Sequence, residues 1–367
     1  MRILYLTYGQ SPHDLRFTRA LTQTQHEIYV LCMDGILSGW PAKVILVPWK
    51  PGDKRRRGLL RQVLKLKRVI REFKPDLIHA GPIQGPAFRV VLTGFHPLVT
   101  MSWGFDLLRK SDYNWLWHQV TGYVLERSDV LVGDCEAIFN KAAEFGFPAE
   151  RFKKFPWGVD LNHFVPSKTP NLRRDLGWLE NPVLLCNRSM EPQYGVDIAV
   201  RGFISAHKEN HDLRLLLFGR GSQEKNIRHL VDSAGLNNAV HFGGFVDQEG
   251  MPDIYNSADL YLTASHTDGS SVSLLEALAC GLPVIVSDIP SNQEWICHGR
   301  EGWIFPDNDV DDLAHKITQA VSARNYWSMI GAHNREVAED GADWTKNFPV
   351  LLQAYEQALS IHRQSTT

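Results

Sequence analysis

The stretch SHTDGSSVSLLEALACGLPVIVSD, residues 265–288, contains a turn, a helix and a strand in the order typical of a parallel α/β protein. It follows a predicted strand, turns at Gly269 and starts a helix near Ser270 or Ser271. The helix ends at Gly281, and a run of β-branched residues follows as the next strand. The stretch therefore predicts a strand–helix–strand crossover, the repeating unit of a doubly wound parallel sheet.

Short β-rich runs alternate with helical patterns along the whole chain, so this crossover belongs to a larger α/β architecture. In the first half the predicted strands are residues 3–6, 28–31, 44–47, 77–79, 98–101, 130–132 and 153–155. In the second half they are residues 183–186, 213–218, 240–242, 260–263, 284–286 and 303–305. Because the pattern restarts, the sequence predicts two Rossmann-like domains with parallel sheets.

The length of 367 residues suits two domains, each able to bury its own core. Periodicity breaks in PWGVDLNHFVPSKTP, residues 156–170, so we place the linker there. We predict an N-terminal domain over residues 1–163, a C-terminal domain over residues 164–340 and a final helix over residues 341–367. The apolar residues of this final helix recur at helical spacing and need a surface to bury against: Phe348, Leu351, Leu352, Tyr355 and Leu359.

Composition excludes several classes of protein. Lys and Arg total 39 and Asp and Glu total 41, a net charge of −2, so nothing global indicates a nucleic-acid partner. Collagen-like, disordered and coiled-coil chains are excluded, because 44% of residues are apolar and 22% are charged. The N-terminus is typical of a first strand rather than of a signal peptide, and we expect no transmembrane helix.

Cysteine and histidine usage gives no sign of disulfides or metal sites. The chain has no CxxC pair and five cysteines, Cys32, Cys135, Cys186, Cys280 and Cys297. We therefore predict buried thiols in a reducing cytoplasm. The 15 histidines form no HExxH or other metal-ligand spacing, so we expect no protein-bound metal.

Two carboxylates lie eight positions apart in residues 265–288, Asp268 before the predicted helix and Glu276 inside it. A helix N-terminus offers free backbone N–H groups and a positive dipole end, and Ser270 and Ser271 add hydroxyl groups, so a diphosphate suits this place. Glu276 has apolar neighbours, and a buried carboxylate needs a basic group, several donors or a ligand hydroxyl. The structural alternative is that Asp268 caps the helix and Glu276 forms an ion pair.

This stretch resembles the E-x7-E region of the retaining nucleotide-sugar glycosyltransferases of family 4, with Asp268 in place of the first Glu. The resemblance extends through the opening strand with its Gly9 loop and through HEIYVL (26–31), DLIHAG (76–81), FPWGVDLNHF (155–164), NRSMEPQYGVD (187–197), LLLFGRGSQ (215–223) and HFGGFV (241–246). It implies the GT-B fold, in which two Rossmann-like domains face each other across a cleft. It also implies an acceptor-binding N-terminal domain, a donor-binding C-terminal domain and a final helix that crosses back to the N-terminal domain.

The resemblance assigns roles to individual residues. It places Glu276 on the ribose hydroxyls, where a double acceptor suits a vicinal diol, and Asp268 near the transferred sugar. It places Arg188 on the donor diphosphate, where a cation stabilises the charge that develops on the leaving group. The family usually has a Lys before the glycine of this loop, whereas this chain has Tyr194 before Gly195, which removes one cation. Taken alone, Arg188 also suits a surface or interdomain salt bridge.

The turn FGRGSQ, residues 218–223, carries Gly219 and Gly221 between a predicted strand and a helix start. On its own it indicates either an incomplete dinucleotide motif or a tight turn that lets the helix and strand pack. The resemblance places this loop in the donor pocket. The donor-binding set that it implies is Arg188, Tyr194, Gly219, Gly221, Gly269, Ser270, Ser271, Val272 and Glu276, and the catalytic set is Asp268, Arg188 and Glu276.

On the acceptor side, Gly9, His13 and Asp14 follow the first strand. Ligands of open α/β sheets bind beyond the carboxyl ends of the strands, so we expect this loop to face the ligand cleft. The alternative for Asp14 is a cap of the helix that follows. Because a helix start and a ligand loop use the same residue types, the sequence leaves both roles open.

WGFD, residues 103–106, stands where the family often has a His-Gly pair near the donor sugar, so Trp103 replaces that histidine. We expect His79, Asp106 or the backbone to supply the polar contact instead. Trp103 and Asp106 are therefore predicted to lie at the ligand cleft.

Residues 50–74, from Lys50 to Lys74, hold eleven Lys or Arg against two acidic residues, a local charge of +9. Apolar residues recur there at helical spacing, whereas Arg61, Lys65 and Arg68 share another face. Such a helix suits an anionic membrane surface or a polyanionic acceptor. The structural alternative is a core-packing helix with a solvated basic face.

The resemblance implies a retaining, metal-independent hexosyltransferase without a cofactor. Such an enzyme moves a sugar from a nucleotide-diphospho-sugar to a glycan, lipid-linked or small-molecule acceptor during cell-surface glycan or glycoconjugate biosynthesis. Front-face displacement through an oxocarbenium-like state is the implied mechanism, and the cytoplasm or the inner face of the membrane the implied location. A GT-B sugar-nucleotide epimerase and a non-catalytic nucleotide-sugar- or glycan-binding relative stay open as alternatives.

Overall fold

The computed structural model describes residues 1–9, 11–35, 39–47, 49, 56–167 and 171–366. The chain divides into two compact units. Unit 1 comprises Met1–Phe155 and Phe348–Thr367, and unit 2 comprises Pro156–Asn347. The first change of unit thus lies at the start of the predicted linker, whose residues 168–170 lie outside the described residues. The second lies between Asn347 and Phe348, beyond the boundary predicted at residue 340.

In the part of the chain that the structure describes, thirteen strands form two parallel sheets. The strands of unit 1 are β1 (Arg2–Thr7), β2 (Glu27–Cys32), β3 (Ile45–Leu46), β4 (Leu77–Ala80), β5 (Leu98–Met101), β6 (Val130–Gly133) and β7 (Phe152–Lys154). The strands of unit 2 are β8 (Val183–Cys186), β9 (Arg214–Phe218), β10 (Val240–Gly244), β11 (Leu260–Thr263), β12 (Val284–Ser287) and β13 (Gly302–Phe305). Each predicted strand has its counterpart here, so the prediction of two parallel α/β sheets is confirmed.

The helices that connect and cover these strands are α1 (Pro12–Leu21), α2 (Arg56–Phe73), α3 (Phe88–Val91), α4 (Phe105–Leu108), α5 (Trp115–Glu126), α6 (Glu136–Glu144), α7 (Asn171–Asp175), α8 (Val196–Glu209), α9 (Glu224–Ser233), α10 (Met251–Tyr255), α11 (Val272–Ala279), α12 (Pro290–Gln293), α13 (Val310–Ser322), α14 (Trp327–Gly341) and α15 (Trp344–Thr366). No helix of the described residues is both long and apolar enough to cross a membrane.

Strand order explains where a ligand can bind in each unit. The order is β3-β2-β1-β4-β5-β6-β7 in unit 1 and β10-β9-β8-β11-β12-β13 in unit 2. The chain therefore runs outward in one direction from β1 or β8 and then returns to continue on the other side. The loops after β8 and β11 diverge at such a switch point, where open parallel sheets bind their ligands.

The central strands of both sheets are buried on both faces, as the continuous apolar runs of parallel strands predict. In unit 2, Leu184 and Leu215 belong to one buried cluster, and Leu185 and Leu216 belong to another. These neighbours in sequence point to opposite faces, because side chains alternate along a strand. The carboxyl edge of the sheet is thereby held between two packed layers.

The final helix α15 supplies a buried face to unit 1 from Phe348 onward. Leu351 and Tyr355 are fully buried, and the Tyr355 hydroxyl lies 2.7 Å from Nδ1 of His79 in β4. The side-chain amide of Gln357 donates to the backbone oxygen of Glu150 at 2.6 Å. The surface that the apolar pattern of this helix requires is therefore within unit 1.

Four of the five cysteines are buried, but Cys297 is exposed. The prediction of buried thiols is wrong for Cys297, because it lies in a turn between α12 and β13 among exposed polar residues. No disulfide partner is needed to explain the other four, which pack as small apolar side chains.

Candidate functional site

A cluster centred on Arg188 lies at the carboxyl edge of the unit 2 sheet. Arg188 follows β8, and the loop after the neighbouring strand β11 reaches it. Its Nη1 donates to the hydroxyl oxygens of Ser271 and Ser273 at 2.6 and 2.8 Å, and its Nη2 donates to the carboxylate of Asp268 in an ion pair. The ring of Tyr194 covers the guanidinium, with 4.3 Å between Cζ and the ring centroid. The structure thus brings together three residues of the predicted donor-binding set, Arg188, Tyr194 and Ser271, with Asp268 of the predicted catalytic set.

The electrostatics of Arg188 suit the binding of an anion. The residue is 9% exposed, and burial lowers the pKa of its guanidinium, but the adjacent Asp268 carboxylate outweighs burial and holds that pKa above its ordinary value. Its buried Nε has no hydrogen-bond partner among the described residues. A buried donor without a hydrogen-bond partner is costly unless a ligand supplies an acceptor. The Arg188 guanidinium therefore has an N–H group available for an oxygen atom of a ligand.

Glu276, in α11, is 4% exposed and is held by neutral donors. The hydroxyl of Tyr255 donates to its Oε2 at 2.7 Å, and the side-chain amide of Gln248 donates to its Oε1 at 2.8 Å. Asn187 in turn donates from Nδ2 to the Tyr255 hydroxyl at 2.7 Å. Burial and the nearby Glu276 charge raise the pKa of Tyr255, so its hydroxyl keeps its proton and remains a donor. Because Asn187 directly precedes Arg188 in the chain, this hydrogen-bond network links Glu276 to the segment that carries Arg188.

The start of α11 differs from the structural alternative drawn from the sequence. The helix begins at Val272, with Ser271 as the N-cap residue, so Asp268 does not cap it. Asp268 instead accepts hydrogen bonds from Arg188 and from the backbone of Gly269. The buried hydroxyl oxygen of Ser270 accepts from Nε1 of Trp295 at 3.1 Å. The loop therefore has its polar atoms fixed before a ligand arrives.

Gly219 and Gly221 lie in the loop after β9, directly against the Arg188 loop. A Cβ on Gly219 would lie 2.5 Å from the backbone oxygen of Arg188, and a Cβ on Gly221 would lie 2.4 Å from that of Met190. Gly219 also has a φ of 110°, which residues with a Cβ rarely adopt. The contacts show a tight turn that places this loop beside the Arg188 loop.

In unit 1, Asp14 is buried in a hydrogen-bonded cluster. It accepts from the Tyr5 hydroxyl at 2.8 Å and from the Thr7 hydroxyl at 3.0 Å. Burial raises the pKa of Asp14 to about 6, although these hydrogen bonds lower it. The cap of α1 is Ser11, whose hydroxyl accepts from the backbone of His13, so the alternative of Asp14 as a cap is wrong.

Gly9, His13 and Trp103 lie at the carboxyl edge of the unit 1 sheet. Gly9 follows β1 and packs so closely on Cys32 that a Cβ on it would lie 2.4 Å from the Cys32 Cβ. The rings of His13 and Trp103 meet edge to face, with their centroids 6.4 Å apart. The loops after β1 and β5 therefore meet at this edge, and the binding of an acceptor by these residues stays a prediction.

Asp106 and His79 do not serve the role expected for them. The Asp106 carboxylate is 4% exposed and accepts from the backbone of Ile83 and of Trp103, each at 2.8 Å. His79 is fully buried, with its Nδ1 on the Tyr355 hydroxyl. The expectation that either side chain replaces the contact of the family histidine is wrong, because Asp106 organises its own loop and His79 lies inside the core.

The predicted basic segment is described only from residue 56, and its residues 50–55 lie outside the described residues. The remainder forms α2, whose Val63 and Leu66 are buried in unit 1. Leu60 and Leu64 are 63% and 57% exposed and share the solvent side with basic residues, namely Arg61, Lys67, Arg68 and Arg71. The exposed face of α2 is therefore mixed, apolar and basic.

Several site residues were missed by the sequence analysis, namely Asn187, Gln248, Tyr255, Tyr261 and Ser273. Tyr255 and Gln248 lie 21 and 28 positions from Glu276, the carboxylate that they hold. The need of a buried carboxylate for donors indicated that such partners exist, but no spacing rule identifies them. Ser273 lies in the quoted stretch, and only the approach of Arg188 and of the Tyr261 hydroxyl shows its role.

Two family models match the chain. Residues 168–337 match glycosyl transferases group 1, and residues 2–134 match glycosyl transferase 4-like. Together they cover most of both units. The chain belongs to the group 1 glycosyltransferases of family 4, a family of retaining enzymes.

Two curated relatives match part of the chain. It is 32% identical over 153 residues to the GtfA subunit of a UDP-N-acetylglucosamine–peptide N-acetylglucosaminyltransferase from Streptococcus gordonii, across 40% of this chain and 29% of that protein. It is 28% identical over 206 residues to a GDP-mannose-dependent monoacylated α-(1-6)-phosphatidylinositol monomannoside mannosyltransferase from Corynebacterium glutamicum, across 53% of this chain and 52% of that protein. The matched stretches thus span about a third and about half of these relatives.

A solved structure matches almost all of the chain. HepE from Anabaena, in complex with UDP-glucose, has a TM-score of 0.81 and 20% sequence identity over 98% of this chain and 100% of HepE. At this identity the likeness shows the fold, which is GT-B, as the sequence predicted.

Proposed function

We propose that this chain is a retaining glycosyltransferase that binds a nucleotide-diphospho-sugar on unit 2 and transfers the sugar to an acceptor bound mainly by unit 1. The observation that carries the proposal is the buried cation of Arg188, whose Nε lacks a partner among the described residues. The buried Glu276 carboxylate lies on the same network. A cation for the diphosphate and a double acceptor for the ribose diol are what a nucleotide donor requires.

The proposed roles follow from the contacts. Arg188 and the N–H groups at the start of α11 stabilise the charge on the departing diphosphate. Glu276 holds the ribose, and Asp268, fixed by its ion pair with Arg188, orients the sugar. Front-face displacement through an oxocarbenium-like state gives retention. The neutral ring of Tyr194 packs on the Arg188 guanidinium.

The relatives guide the choice of substrates. One is named for UDP-N-acetylglucosamine, another for GDP-mannose, and the HepE structure contains UDP-glucose. We therefore propose a UDP-sugar or a GDP-sugar as donor and a glycan, lipid-linked or small-molecule acceptor. Cell-surface glycan or glycoconjugate biosynthesis in the cytoplasm, at the inner face of the membrane, is the proposed setting.

The test of the donor site is a thermal-shift panel of UDP-, GDP-, ADP- and dTDP-sugars and a CMP-sugar, run on the wild type and on Glu276→Gln. A ligand at about 100 times its Kd adds about 2.7 kcal/mol of stability and raises the Tm by about 5–10 °C in a unit of this size. We expect one diphosphate sugar to stabilise the wild type and to lose most of that effect in Glu276→Gln. Glu180→Gln, at an exposed position of unit 2, is the matched control and should keep the shift.

The outcomes separate the alternatives. Equal Tm shifts in the wild type and in Glu276→Gln would show that Glu276 does not bind the nucleotide sugar. Stabilisation accompanied by interconversion of the nucleotide sugar without any acceptor would indicate the epimerase. Stabilisation with neither transfer nor slow donor hydrolysis would indicate the binding relative, and no shift with any nucleotide sugar would contradict the proposal.

A second proposal concerns α2, whose exposed face combines Leu60 and Leu64 with basic residues. We propose that this face contacts an anionic membrane surface, because apolar side chains insert while Lys and Arg bind lipid headgroups. Co-sedimentation should be strong with phosphatidylglycerol vesicles and weak with phosphatidylcholine vesicles. The double variant Leu60→Ser, Leu64→Ser should lose it, whereas Leu179→Ser, at an exposed leucine of unit 2, should not. Equal sedimentation of both variants would refute the contact.

A further inference from the structure

His266 lies two positions before Asp268 in the loop that follows β11. Its backbone N–H donates to the backbone oxygen of Gln193 at 3.0 Å, which pins the loop beside the turn that leads into α8. Its ring Cε1 lies 3.3 Å from the position that a Cβ on Gly195 would take. The imidazole thus stands against the residue that follows Tyr194, at the edge of the Arg188 cluster.

Asp307, in the loop after β13, holds one nitrogen of this ring. Nδ1 of His266 lies 2.6 Å from Oδ1 of Asp307, and the two side chains are 17% and 28% exposed. Asp307 is itself fixed, because its backbone N–H donates to the carboxylate of Asp288 at 2.9 Å. A carboxylate at Nδ1 keeps a proton on that nitrogen. A neutral ring therefore has a lone pair at Nε2, and a protonated ring has a second N–H there.

The charges around the proposed diphosphate position leave room for another cation. A nucleotide sugar brings two negative charges, whereas Arg188 is already paired with Asp268 and the adjoining Tyr194 is neutral. Imidazole is the side chain that gains a positive charge between about pH 8 and about pH 6. The elements around His266 carry several charged and titratable groups, namely Arg188, Glu191, Tyr194, Asp197 in the first turn of α8, Asp268, Asp288, Asp307 and Asp309.

We propose that His266 is a further donor-binding residue, which donates from its protonated Nε2 to the diphosphate of the nucleotide sugar while Nδ1 stays on Asp307. This inference rests on the proposed function and adds a binding residue to the same site. Protonation converts Nε2 from an acceptor that repels phosphate oxygens into a charged donor that binds them. Donor affinity therefore increases as the pH falls.

The experiment is titration calorimetry with UDP-glucose and GDP-mannose at about pH 8 and about pH 6. Both phosphates of a nucleotide sugar are esterified, so the ligand itself does not titrate in this range. For the one that binds, we expect the wild type to bind about fivefold more tightly at the lower pH, as a charge-assisted hydrogen bond gained on protonation requires. His266→Gln should bind the same nucleotide sugar with nearly the same Kd at both pH values, and this Kd should be close to the wild-type value at the higher pH. His229→Gln, at an exposed histidine of α9, should keep the wild-type ratio.

Asp307→Asn provides a second variant that keeps the imidazole. Without the carboxylate the protonated ring loses its partner, so we expect the affinity ratio between the two pH values to fall to about twofold or less. A ratio that stays at the wild-type value in both His266→Gln and Asp307→Asn would overturn the inference and leave the proposed function intact. If the wild type binds neither nucleotide sugar at either pH, the proposed function itself fails, and the inference with it.

Discussion

Gly219→Ala should destabilise unit 2 and weaken donor binding, because the added methyl group has no room beside Arg188. The backbone at Gly219 has a φ of 110°, and its Cβ would lie 2.5 Å from the Arg188 carbonyl oxygen. The strained conformation costs about 1–2 kcal/mol, and the backbone shift that relieves the clash costs about 1–3 kcal/mol more. We therefore expect the free energy of unfolding to fall by about 2–5 kcal/mol.

Gly235→Ala is the matched control. Gly235 also has a positive φ, 71°, but nothing lies within 4 Å of its Cβ position, so only the backbone strain of about 1–2 kcal/mol applies. Urea denaturation followed by circular dichroism measures both losses, and calorimetry with the nucleotide sugar that binds measures donor affinity. Equal losses in the two variants, with donor affinity unchanged in Gly219→Ala, would refute the close contact between this loop and Arg188.

Three further predictions concern other parts of the chain. Tyr255→Phe removes the hydroxyl that bonds Glu276 and Asn187, and should lower the free energy of unfolding by about 1–3 kcal/mol in urea denaturation; an unchanged value would contradict the network. Burial lowers the pKa of His79 to about 3, so the unfolded chain binds a proton first and stability falls as the pH drops from about 6.5 toward 3. His79→Gln should show a shallower loss over that range, and an equally steep one would count against a buried neutral ring. A maleimide should label one thiol per native chain, at Cys297, by intact mass; labelling of a second thiol would be inconsistent with the burial of the other four.

The sheets and the central part of the site could be predicted from the sequence. Strands buried on both faces are continuous apolar runs bounded by turn residues, as in β12, which follows Gly281 and Pro283. Arg188 and Asp268 lie in the loops that follow two such strands, β8 and β11, and neighbouring parallel strands end at the same edge. Their proximity therefore follows from the placement of the strands.

The rest depends on tertiary contacts that no local pattern contains. Ser11 and Asp14 are both good capping residues three positions apart, and the choice between them follows from the Tyr5 and Thr7 hydroxyls, which hold the Asp14 carboxylate. Asp106 likewise is a residue type that often binds ligands, yet its carboxylate accepts hydrogen bonds from backbone N–H groups of its own surroundings. The hydrogen-bond partners of Glu276 also come from distant segments, so no local pattern predicts them.

The proposed donor site centred on Arg188 is tested most directly by following the transfer of the sugar. Proton NMR of the stabilising nucleotide sugar, incubated with the protein and a mixture of glycan and lipid-linked acceptors, reports both transfer and anomeric configuration. The wild type should release the nucleoside diphosphate and form a product with the anomeric configuration of the donor, and Arg188→Lys should do so at least about 100-fold more slowly. Release at the same rate by Arg188→Lys, or a product of inverted configuration, would contradict this site.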